Sequence, residues 1–535
     1  MLSREPAVGK TRLTGLIPCL LLFVGAGITW FTRRQGDRIS WGLATAFALL
    51  AWLSVLFILP ALPTGLELSA WQPASLFASR LEISLDRTSW GIVYAVATGL
   101  LAVFLTGAAR PASGAVGPTT MLLAYTALAM LSIMAGNLLS VAILWMTLDV
   151  LSFLYLIARV EDPAGAQTLV GRLAIDMSGT VLVLAAAAAS FAGTLELPFG
   201  ARPVPLLPAA FMALAVLLRL GLFPLHFTTS PPPQVRRGLG TLLRILPPAA
   251  AMAVLARTLG EAVPSALSTW LLLAGALGSV VGSVRWFMAP EPIRSRTSLV
   301  LSVAGVGLVS AVNHPSGAGH ALAVSAAVMV TVVVIVSLTE IRTPWHRLWP
   351  LFGCVLLIGL PWTAGGALMV GIVPASLTPL TGFGAVLGLV SLILVIGGLA
   401  RESLRAIEPW PAGETMVKSL YGLGLALPPL ALAGYGILIG QLPALPGVAG
   451  LVAVVLGLAY GWWRRERLET RRVQRWTRLL AWLDPAPLYA GVWRAYRATM
   501  GAVRAVGGAV EGEGAFLWIL VALLAVALVL QGGSP

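Results

Sequence analysis

Residues 217–227 read LLRLGLFPLHF: an arginine inside an apolar run of helix length, followed within about two turns by a glycine, a proline and a histidine. A guanidinium does not give up its proton in a protein, so Arg219 is a permanent charge. What surrounds it decides the fold. The chain of 535 residues is 58% hydrophobic and 10% charged, with a mean hydropathy of +0.90, values outside the range of soluble domains. Apolar runs of about 17 to 25 residues, each enough to cross roughly 30 Å of hydrocarbon, recur from end to end with short polar breaks. The pattern is that of an all-α polytopic membrane protein of about sixteen transmembrane helices, with no room for a soluble catalytic domain.

The first 30 residues, basic and then apolar, have the outline of a secretory signal but carry no small-residue cleavage motif before Arg33, Arg34 and Arg38, so a first membrane helix is expected. Cys19 and Cys354 lie inside predicted spans without metal-ligand spacing and read as small buried hydrophobes. The net charge of +14 comes from 33 Arg and two Lys, Lys10 and Lys418. Loops after odd-numbered spans hold about 27 of the basic residues and the N-terminus with the even loops about 7, with Arg219 inside a span. The asymmetry assigns basic loops to the cytoplasm of a cell inner membrane and both termini to the other side; it explains the basicity without nucleic acid. Segment 464–512 is Arg-rich and amphipathic and is expected to lie along the cytoplasmic interface, ahead of a last span in 513–535.

Ionisable side chains within or near the spans are few: Asp149, Asp176, Arg219, His226, Arg244 and His320. Each costs several kcal/mol in hydrocarbon without a partner or water, which makes it a candidate for function. Asp149, central in its own span, is the best counter-charge for Arg219. Pro224 and Pro361 interrupt two apolar spans, in GLFP (221–224) and GLP (359–361), and such breaks are tolerated only against protein or a hydrated cavity. Paired interruptions in two halves of a chain point to repeated bundles. His226 and His320 are read two ways, as proton shuttles or as hydrogen-bond partners of broken backbone.

These landmarks, taken in order, resemble the antiporter-like membrane subunits of respiratory complex I, Mrp-type cation/proton antiporters and membrane-bound hydrogenases. LEISLDRTSWGIVYAVATGLL (81–101) is similar to that family's strand and Asp-containing lead into the third span. NLLSVAILWMTLDVLSFLYLIA (137–158) is similar to its fifth span, where a Trp precedes an essential Glu. RLGLFPLHF (219–227) resembles its broken seventh span, GHALAV (319–324) the start of its eleventh, and GLPWTAGG (359–366) its broken twelfth. The resemblance implies two inverted five-helix repeats joined by a polar axis along which protons move. The expected division is helices 1–3 in 1–117, the first repeat in 118–258, the second in 259–400, two helices in 401–463, then the amphipathic helix and the last span; EGEGAFLWIL (511–520) fits that ending.

The relay residues depart from the family pattern. The Glu position after Trp145 is Met146, with Asp149 one turn on; the seventh-span Lys position is Arg219. The eighth-span Lys position falls near Pro248 or Ala249, with Arg244 about a turn away; the Lys after the eleventh-span His falls near Val324, and the twelfth-span Lys or Glu near Met369. The reading is a proton-translocating or proton-gating subunit, without a catalytic site, metal or redox cofactor of its own, in a complex I-like or Mrp-like assembly. Its expected partners are other membrane subunits, lipid and protons, with sodium as the alternative ion. The proton candidates are Asp149, Arg219, His226, Arg244 and His320, then Asp176. Two other readings stand beside it: a non-conducting scaffold, and an energy-coupling partner of an inorganic-carbon uptake system.

Overall fold

The computed structural model describes residues 13–68, 81–109, 117–192, 204–223, 238–260, 263–289, 295–357, 362–374, 378–404, 407, 415–439 and 444–464, with isolated positions from 491 to 524. Apart from one β-hairpin the described chain is helical. The helices are α1 (Ile17–Phe31), α2 (Asp37–Ile58), α3 (Arg87–Gly107), α4 (Gly117–Ile133), α5 (Leu138–Ile157), α6 (Pro163–Ala192), α7 (Leu206–Leu220) and α8 (Leu239–Leu259). Then come α9 (Ser265–Met288), α10 (Arg296–Asn313), α11 (Ala318–Leu338), α12 (Leu348–Leu357), α13 (Ala364–Ile372), α14 (Pro379–Ser403), α15 (Thr415–Ile439) and α16 (Ala444–Arg464). Eleven helices among the described residues are long and apolar enough to cross a membrane, and three shorter apolar ones accompany them. The chain is a multi-pass membrane protein. It divides into two compact units, Met1–Thr477 and Arg478–Pro535; the described positions of the second, such as Arg494, Arg497 and Leu520, are helical.

Burial sorts the helices. α8 and α11 are buried all round and α3 nearly so, as expected of helices apolar on every face, while α1, α2 and α6 turn most of their surface outward. α8 packs against α3, α4, α7 and α11. Small residues permit the closest crossings: on α9 and α10, a Cβ at Gly282 would stand 2.6 Å from the Ser298 carbonyl and one at Gly305 2.5 Å from the Gly275 carbonyl.

Strands β1 (Thr64–Leu68) and β2 (Leu81–Leu85) form an antiparallel hairpin with Glu67 opposite Glu82. β2 then runs into Asp86, whose carboxylate accepts from Ser89 N at 2.7 Å while Ser89 Oγ accepts from Asp86 N, a capping box that starts α3. The other edge of β2 bonds the α4–α5 turn, Ser84 N to Met134 O and Gly136 N to Glu82 O. Burial holds the Glu82 carboxyl above its ordinary range, and Glu67 across the ladder adds to this. From the last turn of α8, Arg257 donates to the carbonyls of Ala135 and Ser84 and to Ser89 Oγ, and its Nε lies 3.5 Å from Asp86 Oδ2. One guanidinium thus ties hairpin, α3 cap and α4–α5 turn to the central helix.

A second junction closes α11. Tyr421 of α15 accepts from Glu340 N at 2.8 Å, and Arg342 pairs with Glu340. His346 Nδ1 accepts from Arg342 N, and its ring lies against Tyr421. Burial, and then the Arg342 charge, hold His346 below the usual imidazole range.

Replacing Arg257 with Leu is expected to leave two carbonyls without their donor and to cost about 3 kcal/mol, with Lys recovering part of it, read as melting temperature in detergent. His346 gives a pH test with a definite sign. Its folded value lies below the unfolded one of about 6.5, so its contribution is complete above that pH and is lost as the pH falls through it. The melting temperature should drop as the pH falls below about 6.5, and His346→Asn, whose amide oxygen stands where Nδ1 accepts from Arg342 N, should flatten that drop.

Candidate functional site

The site grows from the end of α7. Gly221 takes φ 73, Leu222 N bonds Leu217 O at 2.9 Å and Gly221 N bonds Leu218 O at 3.1 Å, the paired bonds of a Schellman motif. Only glycine adopts that φ without strain, so the described helix ends at Gly221, three residues ahead of Pro224, where the sequence reading placed the break. Pro224, His226 and Pro361 lie outside the described residues. The ending leaves Arg219 in the last turn of α7, where a cation meets the negative end of the helix dipole.

Arg219 is buried, and its stem lies along α6 at Gly179, where a Cβ would come within 3.2 Å of Arg219 Cγ. Its Nη2 donates to Asp149 Oδ1 of α5, and its Cζ lies 4.2 Å from the centre of the Trp145 ring. Trp145 and Asp149 are one turn apart, on the face that α5 also buries with Ser152 and Leu156; Met146, about a quarter of a turn round the helix, is 47% exposed. A Glu at position 146, where the family register would put it, would point out of the bundle. The acid that faces Arg219 is one turn from the tryptophan instead.

Further polar groups meet there. A narrow cleft between α5 and α6, of about 10 Å³, is lined by Asp149, Ser152, Arg172 and Asp176 with apolar neighbours. Arg172 and Asp176, one turn apart on α6, pair at 3.6 Å. Asp149 Oδ2, Arg219 Nε and Nη1, Trp145 Nε1 and the Tyr125 hydroxyl of α4 are buried and take no hydrogen bond among the described residues. Arg244, on α8, is buried. His320 stands exposed in the first turn of α11. So the structure joins Asp149, Arg219 and Asp176 and leaves His320 apart from them.

Sequence reasoning passed over Arg172, Arg257 and Arg296. The i,i+4 spacing of Arg172 to Asp176 was a usable signal. Arg296, fully buried at the start of α10, donates to Thr241 of α8.

The surroundings of α13 are built with neutral groups. α12 and α13, ten and nine residues long, are each too short to cross a bilayer. Trp362 ahead of α13 has φ 58, and Thr363 caps that helix through Gly366 N. At its far end Ser310 of α10 donates to Leu368 O and Asn313 to Ile372 O, while Met369 is fully buried. The sequences of α10, α11 and α13 contain no carboxylate.

No family model and no curated protein matches the chain. Solved structures do. The chain is similar to a chain of the Mrp complex from Dietzia sp. DQ12-45-1b (TM-score 0.72, 18% identity), covering 96% of its own length and 63% of that chain. It therefore spans less than two thirds of the Mrp chain. A chain of the membrane-bound sulfane sulfur reductase, an archaeal respiratory membrane complex, aligns over 96% of this one and 99% of its own length, with TM-score 0.66 and 15% identity. Respiratory complex I from Thermus thermophilus contributes a third likeness, with TM-score 0.61 and 16% identity over 84% of this chain and 99% of that one. At identities this low the likeness shows the fold, and the chain has, in divergent form, the fold of the antiporter-like membrane subunits.

Proposed function

We propose that the chain is a proton-gating membrane subunit of an Mrp-like or complex I-like assembly in the cell inner membrane, with the gate in its first repeat. The observation that carries this is the buried Asp149–Arg219 pair at the end of α7. The reading takes 118–258 and 259–400 as inverted repeats, α12 and α13 as the two pieces of one broken span, and 464–512 as an interfacial helix before the last span. With both termini outside the cytoplasm, α5 and α7 run toward the cytoplasm and the α5–α6 cleft lies in that half of the membrane.

The chemistry follows from the residue types. Arg219 cannot carry a proton, but it sets what Asp149 can do. It holds Oδ1 and leaves Oδ2 as the acceptor, so a proton reaching Oδ2 cancels the charge that compensates the guanidinium. An uncompensated guanidinium at that depth costs several kcal/mol and repels the next cation. Loading and release at Asp149 are thereby coupled to the position of Arg219, which is the behaviour of a gate. His226 and Arg244 are proposed to continue the path toward the second half, and His320 to serve its far mouth. The neutral bonds of Ser310 and Asn313 favour a second role there, as a sealed half that holds neighbouring subunits.

Purification in mild detergent should bring the chain down with other membrane subunits, and proteoliposomes of that preparation carry the test. Asp149→Asn is expected to lower proton flux by at least about tenfold, equivalent to about 1.4 kcal/mol on the barrier, with the assembly intact; unchanged flux would sink the reading. The pair has a thermodynamic test of its own. Arg219→Leu strands a buried carboxylate and should cost about 3 to 5 kcal/mol in detergent, Arg219→Lys should keep much of the pair, and adding Asp149→Leu to Arg219→Leu should recover most of the loss.

A further inference from the structure

Arg172 has a second partner besides Asp176: its Nη2 donates to the carbonyl of Leu243, on α8, at 3.4 Å. That carbonyl needs a donor for a reason written in the sequence. Its in-helix donor would be the N–H four residues on, and that residue is Pro247, which has none; α8 nevertheless continues through Pro247 and Pro248. Inside a membrane a freed carbonyl must be answered by protein or water. The Arg172 guanidinium is thus shared between two long contacts, Leu243 O at 3.4 Å and, through Nε, Asp176 Oδ2 at 3.6 Å.

Held in this way, Arg172 stands at the edge of the cleft whose other wall carries Asp149, 2% exposed, with Oδ2 unanswered among the described residues. Arg172 and Asp176 are each about one-seventh exposed, so this end of the cleft is the more open one. The Tyr125 hydroxyl, buried and also without a bond among the described residues, lies within the electrostatic reach of Arg172, Asp149, Asp176 and Arg219. Two carboxylates, one accessible and one buried, thus share a cleft with a guanidinium that has been drawn aside.

We propose that the α5–α6 cleft is the proton access arm of the Asp149 site, with Asp176 as the outer acceptor and Arg172 as its gate, held open by the Leu243 carbonyl that Pro247 leaves without a donor. The step is a proton transfer alone: the Asp176 carboxyl gives its proton through water to Asp149 Oδ2 and becomes the carboxylate, and no other bond changes. If Arg172 leaves Leu243, Asp149 Oδ2, on the wall of the same cleft, is an unanswered acceptor to which it can turn. Pairing there occupies the proton's place and closes the arm. The proposal rests on Asp149 being the gate carboxylate, and its test separates the two.

The experiment is proton flux in proteoliposomes of the protein with its co-purifying subunits, followed by a pH-sensitive dye. Pro247→Ala returns an N–H to Leu243 O and releases Arg172. Flux is expected to fall by about fivefold, about 1 kcal/mol on the barrier, while the melting temperature stays at or above wild type. Adding Arg172→Gln to Pro247→Ala should restore at least half of the flux, and Asp176→Asn alone should slow it by about tenfold. A purely structural Arg172–Asp176 pair makes the opposite forecast, in which Arg172→Gln never restores flux. Unchanged flux in Pro247→Ala, or no rescue by the second substitution, overturns the access arm. If Asp149→Asn abolishes flux in the same series, the gate reading survives that failure; if Asp149→Asn or the absence of any wild-type flux shows no conduction through this site, both fall.

Discussion

Inside a membrane a backbone carbonyl that loses its helix donor has no water to turn to, and this constraint organises the structure more than any single contact. At several places where the helical ladder ends or is interrupted, a donor is aimed at the freed carbonyl. The end of α7 closes on itself through Gly221. The end of α13 is answered by Asn313, the end of α9 by Arg401, which donates to Phe287 O, and the gap above Pro247 by Arg172. The α4–α5 turn and β2 share Arg257. The polar side chains are few, and most of those buried are placed where the backbone needs them.

The surroundings of Asp149 and the end of α13 meet this demand with different chemistry, and the difference bears on function. In the first, arginines answer carbonyls and carboxylates together, so satisfying the backbone brings charge into the bundle and charge then requires a counter-charge. Asp149 and Asp176 follow from Arg219 and Arg172 in that sense. At the second, one hydroxyl and one amide meet the same need without charge, and Met369 is fully buried, whereas the end of α9 is met by the charged Arg401. A proton path needs groups whose charge can change. Serine and asparagine bonded to helix carbonyls have no such state, so the described core of the second half is poorly suited to a relay built on side chains alone.

The membrane architecture was legible because it depends on run length and composition, and the strand and Asp-containing lead into α3 were legible through the resemblance that residues 81–101 carry. The Asp149–Arg219 juxtaposition was legible for an electrostatic reason: two deep charges of opposite sign have few other ways to exist. What could not be read was direction. Sequence alignment on Trp145 leads to Met146, and only the burial of Trp145, Asp149, Ser152 and Leu156 shows that the inward stripe passes through Asp149. The position of the α7 ending was missed because Pro224 drew attention from Gly221, whose positive φ carries the turn. Arg172 was missed because its partner is a carbonyl on another helix, and no spacing rule points from α6 to Leu243.

The preponderance of arginine, 33 residues against two lysines, gives these observations a common cause. A lysine offers a compact charge that can be lost; an arginine offers a rigid fork that can answer two acceptors at once and keeps its charge. Where a relay needs a titrating base, arginine is the wrong residue. It suits a bundle that must hold carboxylates ionised while closing gaps in its own backbone. Arg219 acts on Asp149 and stacks on Trp145, Arg172 divides itself between Asp176 and Leu243, and Arg257 serves three elements. With the bases fixed in this way, the groups at this site whose charge can change with a proton are the two aspartates, and any proton movement through the first half has to be decided by which of them is paired at a given moment.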